Sequence, residues 1–265
     1  MDMEENTQIQ NSAWRGVDFS GLTLVLGVGT GRLIEVLNKQ AAASHGSLVV
    51  IEYSLRRLRQ LSDLSSEGPI VCLQGRPREI PFAEQTADLV VINGVLREVP
   101  ENHIDTFFEE VWRVLVPGGR VRISDIIAPI DPERSAAWIE RNRIVRKLGE
   151  ALNRPVAIDA DLTETARSMR RVGFDDLDIS FLPGYALNDA WLEDTVNSIR
   201  NMAARLTDTT LRHEIVQEDI PTLIDAYSQG PQSASERFVL AAFRPGDLAL
   251  DMDASFTEDD LITER

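Results

Sequence analysis

Residues 23–33, TLVLGVGTGRL, set the fold of this chain. An apolar run predicts a short buried strand, and three glycines at alternate positions follow it: Gly27, Gly29 and Gly31. Glycine allows a sharp turn and a close approach of the backbone to a ligand, which a Cβ would prevent. A helix beginning near Arg32 would point its unpaired N–H groups at whatever the turn holds. The stretch therefore predicts a nucleotide-binding turn.

The spacing of the glycines distinguishes two kinds of such turns. A dinucleotide fingerprint, G-x-G-x-x-G, would place its third glycine at position 32, which is Arg32. The chain has G-x-G-x-G instead. Its next apolar run, residues 47–51, ends in Glu52, about 20 residues after the turn, where an acid is placed to accept hydrogen bonds from the hydroxyls of a ribose. A helix N-cap or a solvated carboxylate is the structural alternative for Glu52.

Apolar strand patterns and helical patterns alternate after this point. Strands are predicted at 70–73 and 87–94, and the second ends in Asn93-Gly94, which permit a close approach. A helix over 104–115 leads through Pro117-Gly118-Gly119 into another strand. Helix, turn and strand in this order are typical of a crossover that returns to a parallel sheet. The pattern predicts an α/β fold.

The succession of motifs resembles the small-molecule branch of the class I S-adenosylmethionine-dependent methyltransferases, and the ubiquinone-biosynthesis type is the nearest pattern. The shared motifs are LGVGTGRL at 26–33, Glu52, Gln74-Gly75 with Ile80-Pro81-Phe82, Ala87-Asp88-Leu89-Val90, Val99-Pro100 and the run RVLVPGGR at 113–120. The match covers about residues 20–128, with weaker agreement at 162–179 and 237–243. It implies a Rossmann-like, seven-stranded, mostly parallel sheet with helices on both faces and an antiparallel last strand.

The resemblance also implies the cofactor, S-adenosyl-L-methionine, and the residues that hold it. These are Gly27, Gly29, Gly31, Glu52, Tyr53, Arg76, Pro77 and Asn93. The family has an acid two residues before the first glycine and another after the third strand, where this chain has Val25 and Arg76. Valine has no hydrogen-bonding group in its side chain, and a guanidinium only donates. One of the three carboxylates that the resemblance implies around the cofactor, Glu52, is therefore present.

Two functional hypotheses follow. The first is an enzyme that transfers a methyl group from S-adenosylmethionine to a small molecule, favoured by the intact glycines and Glu52. The second is a non-catalytic member that keeps the fold as a binding or scaffolding subunit, favoured by the missing carboxylates. His103, near the carboxyl edge of the sheet, is a candidate general base, and a residue at a helix start is its structural alternative. Glu98, Asp125 and Tyr185 are no better supported.

The predicted domain organisation is one methyltransferase-like domain, 1–246, and an acidic, disordered tail, 247–265. The tail has seven acids against one arginine. An extra helical block at about 183–235 separates the last two strands, with helices near 190–206 and 209–227. The block is interpreted as a lid over the substrate pocket or as a subunit contact of a homo-oligomer.

The net charge and the composition restrict the kinds of binding partner that the sequence predicts. A formal net charge of −16 disfavours nucleic acid and favours a small molecule or a protein. The absence of a membrane-spanning apolar run and an acidic start predict a cytoplasmic protein without membrane contact. The histidines show no metal-ligand spacing. The single cysteine, Cys72, excludes an intrachain disulfide and is interpreted as a buried, inert thiol in its strand.

A basic cluster stands out in a predicted helix over residues 131–153. Its members are Arg134, Arg141, Arg143, Arg146 and Lys147. On an acidic protein such a cluster is an internally balanced surface, or a site that an anionic substrate or the acidic tail could use.

Overall fold

The glycine turn joins a buried strand to a helix, as the sequence predicts. The computed structural model of the protein describes residues 17–29, 31–61, 68–76, 78–153, 156 and 158–246. Strand β1 (Leu22–Leu26) is buried from Thr23 onward and is followed by Gly27, and helix α1 (Arg32–Ala43) begins directly after Gly31. The tail assigned to 247–265 lies outside the described residues.

The other elements follow in chain order. The strands are β2 (Ser47–Glu52), β3 (Ile70–Gln74), β4 (Ala87–Asn93), β5 (Leu115–Ile126), β6 (Asp175–Leu182) and β7 (Arg237–Phe243). The helices are α2 (Leu55–Arg59), α3 (Ile104–Val114), α4 (Ala136–Ala151), α5 (Leu162–Val172), α6 (Asp189–Ala203), α7 (Thr209–Glu214) and α8 (Ile220–Ser228), with a π-helical turn, Ile215–Asp219, joining the last two. None of the helices in these ranges is both long and apolar enough to cross a bilayer.

The strands form one seven-stranded sheet in the order β3-β2-β1-β4-β5-β7-β6. Strands β1 to β5 pair in parallel, whereas β7 runs antiparallel to both β5 and β6. This confirms the predicted fold class, including the antiparallel last strand. Strand order reverses between β1 and β4, and in open α/β sheets the crevice at such a switch point is where ligands bind.

Helices cover both faces of the sheet because alternate strand residues point to opposite sides. Leu24 packs on one side in a cluster with Phe108 of α3 and Met169 of α5. Val25 packs on the other side in a cluster with Ile34 of α1. These side chains are fully buried, so the two clusters are the main apolar cores of the domain.

The predicted helical block is present between β6 and β7, where it builds a core of its own. Helices α6 and α8 pack on α4, and the shared cluster includes Trp138 and Leu148 of α4, Ile199 of α6 and Leu223 of α8. The apolar faces of the block are thus used against a helix of the same chain.

Two local expectations were wrong. Pro117-Gly118-Gly119 does not form a free turn but lies inside β5, because Gly118 N donates to Arg244 O at 2.9 Å and Arg244 N donates to Gly119 O at 2.8 Å. Cys72 is exposed rather than buried, because β3 is an edge strand of the sheet. Partial burial still raises the pKa of the Cys72 thiol.

An ion-pair network fastens the block to α4. Asp219, with a side chain 8% exposed, accepts hydrogen bonds from Arg143 Nη2 and Lys147 Nζ, each at 2.8 Å. Burial alone would raise the pKa of Asp219, but the bonds from Lys147 and Arg143 outweigh burial and hold that pKa below its ordinary value. These members of the basic cluster are therefore internally balanced.

We predict that Asp219→Ala lowers the free energy of unfolding by about 1.5–3 kcal/mol, since charge-assisted hydrogen bonds are lost at a buried site. A carboxyl with a depressed folded-state pKa stabilises the protein above its unfolded pKa of about 4, and this contribution is lost as pH falls further. Urea unfolding at pH 7 and at pH 3.5 measures both effects. Asp225→Ala, at an exposed acid of α8, is the control. Equal losses in the two variants at pH 7 would contradict the prediction.

Candidate functional site

The glycine turn is fixed to the end of β2 by backbone hydrogen bonds. Gly27 N donates to Ile51 O at 3.0 Å, and Val28 N lies 3.4 Å from Glu52 Oε2. Gly27, Gly29 and Gly31 have φ of +87°, +55° and +83°, in the left-handed region that favours glycine. The turn therefore keeps the backbone conformation that its sequence predicts.

The end of β4 packs directly on this turn. A Cβ at Gly29 would lie 2.3 Å from Asn93 Nδ2, and one at Gly27 would lie 2.6 Å from Asn93 O. The end of β4 by itself leaves no room for a side chain at Gly27 or Gly29, whether or not a ligand is bound. The structure thus brings together the glycines, Glu52 and Asn93, which the sequence predicts as parts of one site.

Glu52 is only 2% exposed, although it ends a strand at the crevice. Its Oε1 accepts from Ser54 N at 2.9 Å, and its Oε2 lies 3.4 Å from both Val28 N and Arg57 Nη1. The structural alternative required Glu52 to be a helix N-cap or a solvated carboxylate, and its carboxylate is neither. It is held beside the glycine turn, and Oε1, which accepts one hydrogen bond, keeps the capacity to accept another.

The remaining predicted site residues are less closely grouped. Tyr53 is 53% exposed and lines a cavity at the crevice. Arg76 is exposed just after β3, and Pro77 lies outside the described residues. His103 is exposed and directly precedes α3, the placement of its structural alternative, while its neighbours Glu101 and Ile104 line the cavity.

This cavity, of about 740 Å³, opens where β2 and β4 end. Its walls come from the end of β2, the segment after β4, and the start of α5 with the residues before it. They comprise Tyr53, Leu96, Arg97, Glu98, Val99, Pro100, Glu101, Ile104, Val156, Asp159, Ala160, Asp161, Glu164 and Thr165. The volume suits a small molecule.

Two carboxyl groups, that of Glu98 in the cavity wall and that of Asp125 beside it, have raised pKa values. Burial raises the pKa of Glu98, with Arg57 opposing it and the Glu52 charge adding to it. Burial likewise raises the pKa of Asp125, whose Oδ2 accepts from Arg97 N at 3.3 Å and whose Oδ1 lies 3.7 Å from Arg97 Nε. Perturbed acids in a cleft are a mark of functional sites.

Sequence reasoning missed Arg97 and Asp159. Arg97 lies in the short segment between β4, which ends at Asn93, and α3, and a polar residue soon after a strand end is a signal that could have found it. Asp159 belongs to the irregular segment before α5, which carries no periodic pattern. Its Oδ1 is buried without a hydrogen-bond partner among the described residues. Burial raises the pKa of Asp159, and Arg146 and Arg97 oppose that shift.

A second, more apolar groove of about 570 Å³ adjoins the first cavity and shares Asp159, Ala160 and Asp161 with it. Its other walls are Ile127, Ala128, Ile130, Leu162 and Phe181. The site thus combines a cavity of mixed polarity, which opens after the ends of β2 and β4, with a more apolar extension towards β6.

The sheet order, the glycine turn and the strand-end acid define the fold of the class I methyltransferases, and comparisons with known proteins agree. Residues 24–123 match a family described as a methyltransferase domain. Demethylmenaquinone methyltransferase of Lactobacillus johnsonii is 30% identical over 139 residues, 48% of this chain and 55% of that protein. The UbiE C-methyltransferase of ubiquinone and menaquinone biosynthesis in Bartonella bacilliformis is 26% identical over 147 residues, 53% of this chain and 52% of that protein. The chain thus spans about half the length of these curated relatives.

Solved structures show the same fold over nearly the whole described chain. A Bacillus halodurans protein assigned as a methyltransferase has a TM-score of 0.58 and 16% identity, covering 91% of this chain and 99% of its own. Phosphoethanolamine N-methyltransferase 2 of Haemonchus contortus has a TM-score of 0.52 and 14% identity, covering 92% of this chain and 53% of its own. At these identities the likeness concerns the fold. The predicted resemblance is confirmed.

We predict that Gly29→Ala destabilises the protein through both a left-handed backbone and a collision with Asn93. Gly118→Ala is the matched control, because Gly118 has φ +82° and nothing within 4 Å of an added Cβ. The control should lose about 1–2 kcal/mol of unfolding free energy from the backbone alone, and Gly29→Ala should lose more. In Gly29→Ala with Asn93→Ala, the collision is absent, so a double-mutant cycle by urea unfolding should show a coupling of at least about 0.5 kcal/mol. Additive losses would contradict the packing described here.

Proposed function

We propose that the protein transfers a methyl group from S-adenosylmethionine to a small-molecule acceptor. The observation that carries this proposal is the joint placement of a positive-φ glycine turn, the buried Glu52 and the cavity that begins at Tyr53. Relatives with this sequence pattern are named as quinone methyltransferases, which supports a small, ring-containing acceptor.

The residues of the site fit this cofactor. The closely packed turn, where an added Cβ would collide with Asn93, gives a backbone surface for close approach, and Glu52 offers rigid acceptors for ribose hydroxyls. Tyr53 provides a ring in the cavity wall, and the Asn93 amide lies beside Gly29. When bound, S-adenosylmethionine supplies an electrophilic methyl group on a sulfonium.

The chain's own part in catalysis is to position the acceptor and exclude water, which suffices for a transfer to an activated nucleophile. Where the acceptor must lose a proton, Glu98 is better placed than His103, because Glu98 lines the cavity and its carboxyl has a raised pKa. A carboxylate with a raised pKa is a stronger base than an ordinary one. Deprotonation by Glu98 is part of the proposal.

The second hypothesis, a non-catalytic binding subunit, keeps one specific observation in its favour. Val25 is fully buried in an apolar cluster and Arg76 is exposed, so neither position supplies a carboxylate to the cofactor. Binding of S-adenosylmethionine without methyl transfer to any acceptor would support this alternative, whereas turnover would exclude it.

We predict that Glu52→Ala weakens the binding of S-adenosylhomocysteine by between several-fold and about a hundredfold, because hydrogen bonds worth about 1–3 kcal/mol are lost. Glu52→Gln, which keeps the shape and one acceptor oxygen, should lose less. Glu79→Ala, at an exposed acid in the same region, is the control for the charge change. Titration calorimetry measures all three variants. Unchanged affinity in Glu52→Ala would show that the ribose binds elsewhere.

A further prediction concerns Arg76, where the family presents an acceptor to the adenine amino group. Because the Arg76 side chain is exposed, we expect it to point away from the ligand, so Arg76→Asp should restore an acceptor and tighten binding about fivefold, the scale of one hydrogen bond of about 1 kcal/mol. Arg78→Asp introduces the same charge change two residues away and should have a smaller effect. Loss of binding in Arg76→Asp and Arg76→Ala alike would instead identify Arg76 as a ligand contact.

A further inference from the structure

The basic cluster of α4 separates into paired and unpaired members. Arg143 and Lys147 are engaged with Asp219, as described above. Arg141 is half-buried and turned towards Trp138, with its guanidinium carbon 5.4 Å from the ring centre. Its one side-chain hydrogen bond within the described chain goes to the uncharged Asn142 Oδ1, at 2.8 Å. No carboxylate in the described ranges pairs with Arg141.

A second half-buried arginine of the same kind lies close by. Arg237 is the first residue of β7, and it pairs in register with Ile126 at the carboxyl end of β5 and with Leu182 at the end of β6. Among the described residues, its guanidinium forms neither a side-chain hydrogen bond nor an ion pair. Burial lowers the pKa of Arg237, as it does that of Arg141.

Tyr185 connects the two arginines. Its ring packs edge-on against Trp138, with 6.1 Å between ring centres. Burial raises the pKa of the Tyr185 hydroxyl, while the charge of Arg141, a hydrogen bond with Trp191 and the charge of Arg237 lower it. The Nε1–H of Trp138 is also buried and has no acceptor within the described part of the chain. The cluster therefore offers many donors and few acceptors.

This cluster lies near the cavity at the strand ends: Ile126, which pairs in register with Arg237, accepts a hydrogen bond from Ala160 N at 2.8 Å, and Ala160 lines that cavity. Arg97, which lines that cavity, is close enough to Arg141 for its charge to lower the pKa of Arg141 further. Removing a cation from water without a partner is costly. In a protein with a net charge of −16, two half-buried arginines without carboxylate partners are therefore an arrangement that a bound anion would stabilise.

We propose that Arg141 and Arg237, together with the Tyr185 hydroxyl, bind an anionic group, a carboxylate or a phosphate, on the methyl acceptor. The reacting end of the same molecule enters the cavity past Arg97. Arginine suits this role because its planar fork donates two parallel hydrogen bonds to either kind of anion. The inference rests on the proposed function, since it specifies the acceptor of that reaction.

The test uses inorganic phosphate and benzoate as separate probes, each titrated into the full-length protein at constant ionic strength. Titrations are run with and without saturating S-adenosylhomocysteine, so that anion binding is measured whether or not the nucleoside binds. We expect at least one probe to bind, with affinity reduced about tenfold or more in Arg141→Ala and in Arg237→Ala, the scale of a charge-assisted hydrogen bond. The tighter probe identifies the anionic group.

Two further variants separate recognition from folding. Arg134→Ala removes an exposed arginine beside the start of α4 and should change anion affinity less than about twofold. Arg141→Lys keeps the charge and should recover part of the affinity. If Arg141→Ala lowers the melting temperature, its loss of anion affinity could come from the fold. The affinity of Arg237→Ala then decides whether the proposal holds. The proposal is overturned when neither anion binds, or when both bind equally to the wild type and to the two alanine variants. Failure of the proposed function appears separately, as absent S-adenosylhomocysteine binding.

Discussion

The rest of the structure depends on one close packing, that of the glycine turn against the ends of β2 and β4. Gly27 N is bonded to Ile51 O, and an added Cβ at Gly29 would collide with the Asn93 amide. Because the turn is fixed from both sides, β1 must end where its neighbours end. The reversal of strand order at β1 and β4 then opens one crevice, into which the acid at the end of β2 and the segment after β4 both lead.

Electrostatics around this crevice differ from those that the resemblance implies. A buried Val25 and an exposed Arg76 stand at two of the three positions where the resemblance implies carboxylates, and Glu52 stands at the third. Other charges are concentrated farther along the cavity, where Glu98 and Arg97 lie after β4. The helical block adds to this region indirectly. By packing on α4, it holds the segments that carry Tyr185 and Arg237 near the carboxyl end of β5, where we propose that the anionic group of the acceptor binds.

The turn and the positions of the first strands along the chain could be predicted because they depend on local signals: glycine spacing, apolar runs and a strand-end acid. The burial of Cys72 was predicted wrongly, since an apolar run does not reveal that its strand lies at an edge of the sheet. Asp159 was missed because it lies in an irregular segment, which has no periodic pattern of apolar residues from which its burial could be predicted. The sequence also could not show which members of the basic cluster are paired with carboxylates. The partner of Arg143, Asp219, is 76 residues away and is brought close only by the packing of the block.

The central claim is that the fixed glycine turn forms a nucleoside site of the methyltransferase kind. Calorimetric titration of the wild-type protein with S-adenosylmethionine and with S-adenosylhomocysteine, repeated on Gly29→Val, tests it most directly. The account predicts saturable binding of both compounds, one molecule per chain, and no binding by the variant while it still unfolds cooperatively. Absence of binding to the wild type, or equal affinity in a folded Gly29→Val protein, would contradict the account.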